Sequence, residues 1–257
     1  MDILVVSFAA LFASALTLFS GFGLGTLLMP VVAIFFPIEI AIGITAIVHL
    51  ANNFFKVVLL GKKASVSVVA RFGVPAIVFA FLGAALLGWL ANIPPLFTYS
   101  AFGEQFLMMP IKLIVGVLIL VFVALELSPK FSKLSIDIKY LPFGGMISGF
   151  FGGLSGHQGA FRSMFLIKAG LSKEEFIATG VILAVLVDLS RLTIYGWEIS
   201  SARAQLDWML IGSACFAAFA GAYFGAKLVK KITIRSIQLF VSTMLAVVAV
   251  GLISGVL

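Results

Sequence analysis

The sequence predicts an all-α integral membrane protein built from two inverted repeats, each a re-entrant helical hairpin plus three transmembrane helices. Three observations predict it: an apolar composition, six long apolar runs, and a glycine-rich interruption at matching places in the two halves. Hydrophobic residues make up 62% of the chain and charged residues 11%, with a mean hydropathy of +1.23. A soluble globule of 257 residues has too little interior to hide that much apolar surface, so most of it must face lipid. The lone Cys215 excludes an internal disulfide framework. The first twenty residues carry Asp2 and no Lys or Arg, and reach no small-residue cleavage site followed by polar sequence, so they read as retained rather than as a signal peptide.

Apolar runs cover 38–60, 67–91, 107–127, 174–196, 206–229 and 234–257. Each is close to the ~20 residues that a helix needs to cross ~30 Å of hydrocarbon. The segments 2–36 and 140–170 fit that measure badly, being too long for one span and too short for two, and both hold the glycine interruptions SGFGLG and SGHQGA. No polar linker divides the chain, which is expected to be a single transmembrane domain with one repeat over about 1–127 and the other over about 136–257.

Positive charge orients the spans, because Lys and Arg concentrate in cytoplasmic loops. Lys62, Lys63 and Arg71 lie in 61–71; Lys130, Lys133 and Lys139 in 128–139; Lys227, Lys230, Lys231 and Arg235 in 227–235. Those three loops are placed inside. The loop 92–106 carries Glu104 and no cation, and 197–207 balances Arg203 against Glu198 and Asp207, so both are placed outside. The stretch 168–175, with Lys168 and Lys173, also reads as inside, so 140–170 must enter and return on one side, while 2–36 enters from the other. Both termini then fall outside the cytoplasm, and the two hairpin tips point at each other.

A turn at membrane depth leaves helix-end N–H and C=O groups unpaired, which is tolerable only where they line a cavity or bind something. The predicted returning half-helices open at Gly25–Thr26 and Gly159–Ala160, with free N–H groups and a positive dipole end suited to an anion. Glycines in membrane helices also serve close packing, and Gly21-x-x-x-Gly25 fits that alternative. At a gap-free offset of 135, Gly21 lies over Gly156, Met29 over Met164, Glu39 over Glu174, Asn53 over Asp188, Lys56 over Arg191 and Gly61 over Gly196. Three crossings, an odd number, separate the hairpins, so the halves have opposite orientation, as in many secondary transporters.

Polar residues within the runs mark the candidate site. His49, Asn52, Asn53 and Lys56 share one face of a helix at i, i+3, i+4 and i+7; Asp188, Arg191 and Tyr195 do the same in the second half. Each intramembrane charge costs roughly 2.5–3.5 kcal/mol on insertion scales, so these faces are expected to look into protein or water. Asp188 and Arg191 can equally neutralise one another one turn apart, and Lys56 and Arg191 can snorkel from helix ends. The expected ligands are the tip residues Ser20, Gly21, Gly23, Gly25 and Thr26; the tip residues Ser155, Gly156, His157, Gln158, Gly159 and Arg162; and the two polar faces. Arg162 is the leading ligand, because a cation in the first turn of a helix opposes the dipole unless an anion lies between.

The strings GFGLGTLLMP, TAIVHLANNFFKVVLLG and GGLSGHQGAFRSMFL resemble the TauE/SafE family of sulfite and organosulfonate exporters, over nearly the whole chain. The resemblance implies a bacterial or archaeal transporter of a small sulfur-containing anion such as sulfite or sulfoacetate, with proton coupling proposed for the family. The expected partners are therefore a small anion, protons and membrane lipid of the cytoplasmic membrane, with no nucleic acid and no cofactor. An anion channel, a carrier for another small organic anion and a carrier for a neutral substrate are the competing readings. An intramembrane enzyme is not expected, as the chain has one Cys, no zinc-ligand spacing and no Ser–His arrangement on facing helices. If a proton is coupled, His157 at the second tip is the expected carrier, with His49 less suited and Asp188 the alternative where it is free of Arg191.

Overall fold

In a computed structural model the described residues are 1–20, 23–101, 103–128, 130, 134–198, 206–228 and 234–257. For 18–20, 197–198, 225–228, 234–238 and 241 the backbone alone is described. Lys133, Arg203, Lys230 and Lys231, used above to orient loops, lie outside the described residues, as does Gly21.

The first half runs α1 (Asp2–Ser20), α2 (Leu24–Val32), α3 (Ile38–Leu60), α4 (Val66–Ala91), a β-hairpin of β1 (Phe97–Ala101) and β2 (Glu104–Met108), and α5 (Pro110–Leu127). The second half runs α6 (Leu141–Ser155), α7 (Gly159–Leu166), α8 (Lys173–Glu198), α9 (Trp208–Leu228) and α10 (Ile234–Ile253). Among the described residues, four stretches are long and apolar enough to cross a membrane: Ile38–Lys63, Val66–Ala91, Pro110–Leu127 and Lys173–Gly196. Helices α9 and α10, of 21 and 20 residues, occupy the other two predicted runs.

Local chemistry sets the helix ends. Pro37 precedes α3 and Pro110 opens α5, positions where a missing N–H costs nothing. Ser172 and Glu175 form a reciprocal capping box at the start of α8, with Ser172 N–H donating to Glu175 Oε2 at 2.8 Å and Glu175 N–H donating to Ser172 Oγ at 3.3 Å. Asp207 Oδ1 accepts from the N–H groups of Met209 and Leu210 at 2.9 and 3.0 Å and so caps α9.

One correction to the all-α expectation falls in the loop 92–106. There β1 and β2 pair antiparallel with Phe97 opposite Met108 and Ala101 opposite Glu104. Gly103, at φ 83°, makes the turn. The hairpin delays the following helix, which starts at Pro110 and not at 107. Tyr99 Oη donates to the carbonyl of Ser254, tying the hairpin to the end of α10.

The helices pair across the halves. α1 packs on α9, α4 on α6, α3 on α8 and α5 on α10. The α4–α6 contact depends on a small-residue stripe: a Cβ at Gly145, Gly149 or Gly153 would lie 2.1–2.2 Å from the carbonyl oxygens of Phe72, Ala76 and Ala80. Close packing is therefore the role of this stripe, which the sequence reading passed over. Exposed Leu4, Phe8 and Phe12 on α1, and Val74, Val78 and Leu82 on α4, recur every four residues and present apolar ridges outward, as a lipid-facing surface requires.

Candidate functional site

Both glycine interruptions are breaks between helices. α1 ends at Ser20 and α2 begins at Leu24, with Gly23 extended at φ −78°, ψ 141°. α6 ends at Ser155, Gly156 turns left-handed at φ 81°, and α7 begins at Gly159. A β-carbon at Gly156 would meet Arg191 Nη1 at 2.9 Å, so both the backbone angle and the guanidinium beneath it call for glycine. At Gly23 and Gly25 a β-carbon would make ordinary contacts, 3.4 Å to His49 Nε2 and 3.5 Å to Thr45 Cγ2, so tight packing does not explain those two glycines.

The predicted polar faces meet. His49 Nδ1 lies 2.6 Å from Asp188 Oδ2, joining α3 to α8 across 139 positions of sequence. Arg191 Nη2 and Nε donate to Asp188 Oδ1 at 2.7 and 3.0 Å. Gln158 Nε2, from the second break, reaches the same oxygen at 3.4 Å. Asp188, Arg191, His49 and Gln158 are 0, 1, 3 and 1% exposed, which makes this a desolvated ion pair that survives only by being fully hydrogen-bonded. With Nδ1 donating to Asp188, His49 Nε2 can accept from Asn53 Nδ2 at 3.2 Å. Asn52, with its amide turned so that both ends are satisfied, donates to Ala218 O at 3.3 Å and accepts from Lys56 Nζ at 3.1 Å. Its amide also lies 3.0 Å from Ser14 Oγ of α1. Lys56 is buried, so it faces protein and does not snorkel.

In front of this network lies a narrow crevice whose open space, mouth included, is about 330 Å³. Residues of both breaks line it: Gly23 and Thr26 from the first, His157, Gly159, Ala160 and Phe161 from the second, with Phe122, Leu125 and Glu126 of α5. The His157 ring stacks on Phe122 at 4.9 Å between centroids and 12° between planes. Its Nδ1 lies 3.1 Å from the Ser155 carbonyl oxygen, which can only accept, so Nδ1 carries the hydrogen. Nε2 is left as an acceptor, buried and without a partner among the described residues.

Of the predicted ligands, Gly23, Thr26, His157 and Gly159 therefore line the crevice. His49, Asn52, Asn53, Lys56, Gln158, Asp188 and Arg191 form the network behind it. Gly25 and Gly156 shape the breaks, and Ser155 holds His157. Arg162, half-buried in the first turn of α7, donates from Nη1 to Gln158 Oε1 at 3.3 Å. It stands one residue beyond the crevice lining, attached to it through Gln158. Gly21 lies outside the described residues, and Ser20 is described by its backbone alone. Asp188 is locked to Arg191, which removes the condition attached to it as a proton carrier.

Glu126 was missed. Its Oε2 is buried and has no hydrogen-bond partner among the described residues, and it faces the same crevice as His157. The signal for it in the sequence was an acidic residue one position before the end of an apolar run whose other charge, Lys112, lies near the opposite end. Among the described residues no group of three or more His, Cys, Asp or Glu side chains is placed to hold a metal ion.

A search of curated proteins finds no match to the chain. The sequence profile of one family, described as Sulfite exporter TauE/SafE, matches residues 6–252 of the 257. Its members are transporters and not enzymes. With apolar helices of spanning length and nearly the whole chain covered by that profile, the protein belongs to the TauE/SafE sulfite exporter family of multi-pass membrane transporters.

Proposed function

We propose that the protein is a secondary transporter that moves a small sulfur-containing anion, sulfite or an organosulfonate such as sulfoacetate, across the cytoplasmic membrane by alternating access with proton coupling. The observation that carries this reading is the crevice lined by both helix breaks, where the first turns of α2 and α7 converge. Helix N-termini there offer N–H groups and positive dipole ends, and an oxyanion has several acceptor oxygens to receive them. The hydrogen-bonded network behind the crevice joins α3 of one half to α8 of the other, at the seam about which the halves would rock.

The inverted-repeat reading, with repeats over about 1–127 and 136–257, draws support from the contact pattern. Exchanging the halves turns the α1–α9 contact into α6–α4 and the α3–α9 contact into α8–α4, while α3–α8 and α5–α10 map onto themselves; all of these contacts occur. The re-entrant reading draws support from length. At 1.5 Å per residue, the 9 residues of α2 and 8 of α7 rise only about 12–14 Å, well short of the hydrocarbon thickness. Both termini are then extracytoplasmic. With Cys215 replaced by Ser, cysteines introduced at Asp2 and Leu257 are expected to react with an impermeant thiol reagent added from outside intact cells. Reaction of either only after the cytoplasmic face is opened overturns this topology.

Purified protein in liposomes, offered labelled sulfite, sulfoacetate, taurine and sulfate, tests the function. Saturable uptake of sulfite or sulfoacetate, accelerated by the same anion on the far side, is the expected result. Flux that rises linearly without such exchange identifies a channel. Absence of flux for all four compounds overturns the substrate class.

A further inference from the structure

Among the described residues Glu126 and His157 are the only titratable side chains lining the crevice, and each presents to it a buried atom that has no partner among those residues. Both atoms are acceptors. His157 commits its one neutral-ring hydrogen to the Ser155 carbonyl, which leaves the Nε2 lone pair, and an ionised carboxylate can only accept. A crevice fitted for an anion thus holds two acceptors and a carboxylate charge of the wrong sign. An unpartnered buried acceptor is costly, and an anion beside an ionised carboxylate is repelled most strongly where water is excluded. One proton on Glu126 changes both conditions: the charge disappears and the carboxyl becomes a donor.

Charged groups on the surrounding elements are occupied elsewhere. Arg71 of α4 donates to the Ile138 carbonyl, Arg162 of α7 to Gln158 Oε1, and Arg191 of α8 to Asp188. On α10 the side chain of Arg235 lies outside the described residues. α2 carries no charged residue, and Lys112, the other charge on α5, lies near the opposite end of that helix.

We propose that Glu126 is the proton-binding group of the transport site. It takes one proton on its carboxylate as an anion occupies the crevice and returns it to water on the face where the anion leaves, with His157 Nε2 as the neighbouring acceptor that the new O–H or a protonated substrate meets. The proposal rests on the transport reading above and adds to it the residue that couples. It moves the proton from the histidine, which the sequence pointed to, to a carboxyl that cycles between a repelling and a donating form.

The test uses full-length protein in liposomes, with methanesulfonate and sulfite as probes; methanesulfonate keeps its charge across the working range. With the membrane potential clamped at zero, an imposed gradient of about 2 pH units can drive up to about 100-fold accumulation for one proton per anion, tenfold per unit. Glu126→Gln, a fixed mimic of the protonated carboxyl, is expected to keep anion exchange across the membrane and to lose gradient-driven accumulation, the ratio falling to about 1. Its exchange rate is expected to be flat with pH, where the parent protein slows as pH rises. Infrared difference spectra between acid and alkaline pH, recorded without substrate, should show a protonated-carboxyl band that the substitution removes. Retained accumulation in Glu126→Gln, or its loss in His157→Gln alone, overturns the proposal. An unaltered carboxyl band in Glu126→Gln overturns it even if no anion tried is transported, so its failure is separable from failure of the substrate reading.

Discussion

Asp188→Ala is expected to be the most damaging single substitution to the folded protein. The carboxylate accepts from Arg191 twice, from His49 and from Gln158, and all four side chains are buried. Removing it leaves a guanidinium that cannot give up its proton, desolvated and facing no counter-charge. That loss typically costs 3–5 kcal/mol, a large share of the roughly 5–15 kcal/mol that holds a domain folded. The damage spreads to both breaks, since Arg191 packs beneath Gly156 and His49 beneath Gly23. The measurement is thermal unfolding of detergent-solubilised protein, with the midpoint and the monodisperse fraction both falling. Pairing Asp188→Ala with Arg191→Met should recover much of the stability, because no charge is then stranded, without restoring transport. A midpoint unchanged in Asp188→Ala would mean that the ion pair contributes nothing to the fold.

How far the sequence could lead is clearest at particular residues. The breaks were legible because glycine clusters inside apolar runs have few explanations, and the helices stop at Ser20 and Ser155, within one residue of where those clusters begin. The span α3 was legible to the residue, since Pro37 and Glu39 mark its start and Gly61 its end. The shared face of His49, Asn52, Asn53 and Lys56 followed from helical spacing alone. The identity of the His49 partner did not: Asp188 stands 139 positions away, and only the packing of α3 on α8 brings them together. Glu126 escaped for another reason. An acidic residue near a helix end has a ready explanation as a side chain reaching to the surface, whereas in the fold its Oε2 is buried and the residue lines the crevice with both breaks. The β-hairpin escaped because five-residue strands beside Pro94 and Pro95 read as an ordinary loop.

Arg162→Ala is expected to have the largest effect on transport among variants that still fold. Its guanidinium sits in the first turn of α7, where a cation opposes the dipole, and no carboxylate lies within ion-pair distance of it among the described residues. Its described side-chain partner is the neutral oxygen of Gln158, whose nitrogen in turn reaches Asp188. The cation is therefore held in place but not neutralised, a condition that a bound anion relieves. A hydrogen bond to a charged group is worth roughly 1.5–3 kcal/mol, so its removal should raise the half-saturating anion concentration by about 10- to 100-fold. Because Arg162 stands one residue beyond the crevice lining, the anion must move past Ala160 and Phe161 to meet it, or feel it through Gln158. Arg162→Lys and Gln158→Ala separate these routes. Direct contact predicts partial recovery in Arg162→Lys, since an ammonium supplies the charge without the planar fork, and a small loss in Gln158→Ala. Action through Gln158 predicts that both variants match Arg162→Ala. Lys130→Ala, an exposed position outside the site, should leave the half-saturating concentration unchanged. An Arg162→Ala protein that folds normally and binds sulfite as tightly as its parent would place the anion's charge partner elsewhere, with buried Lys56 of α3 the next cation to replace.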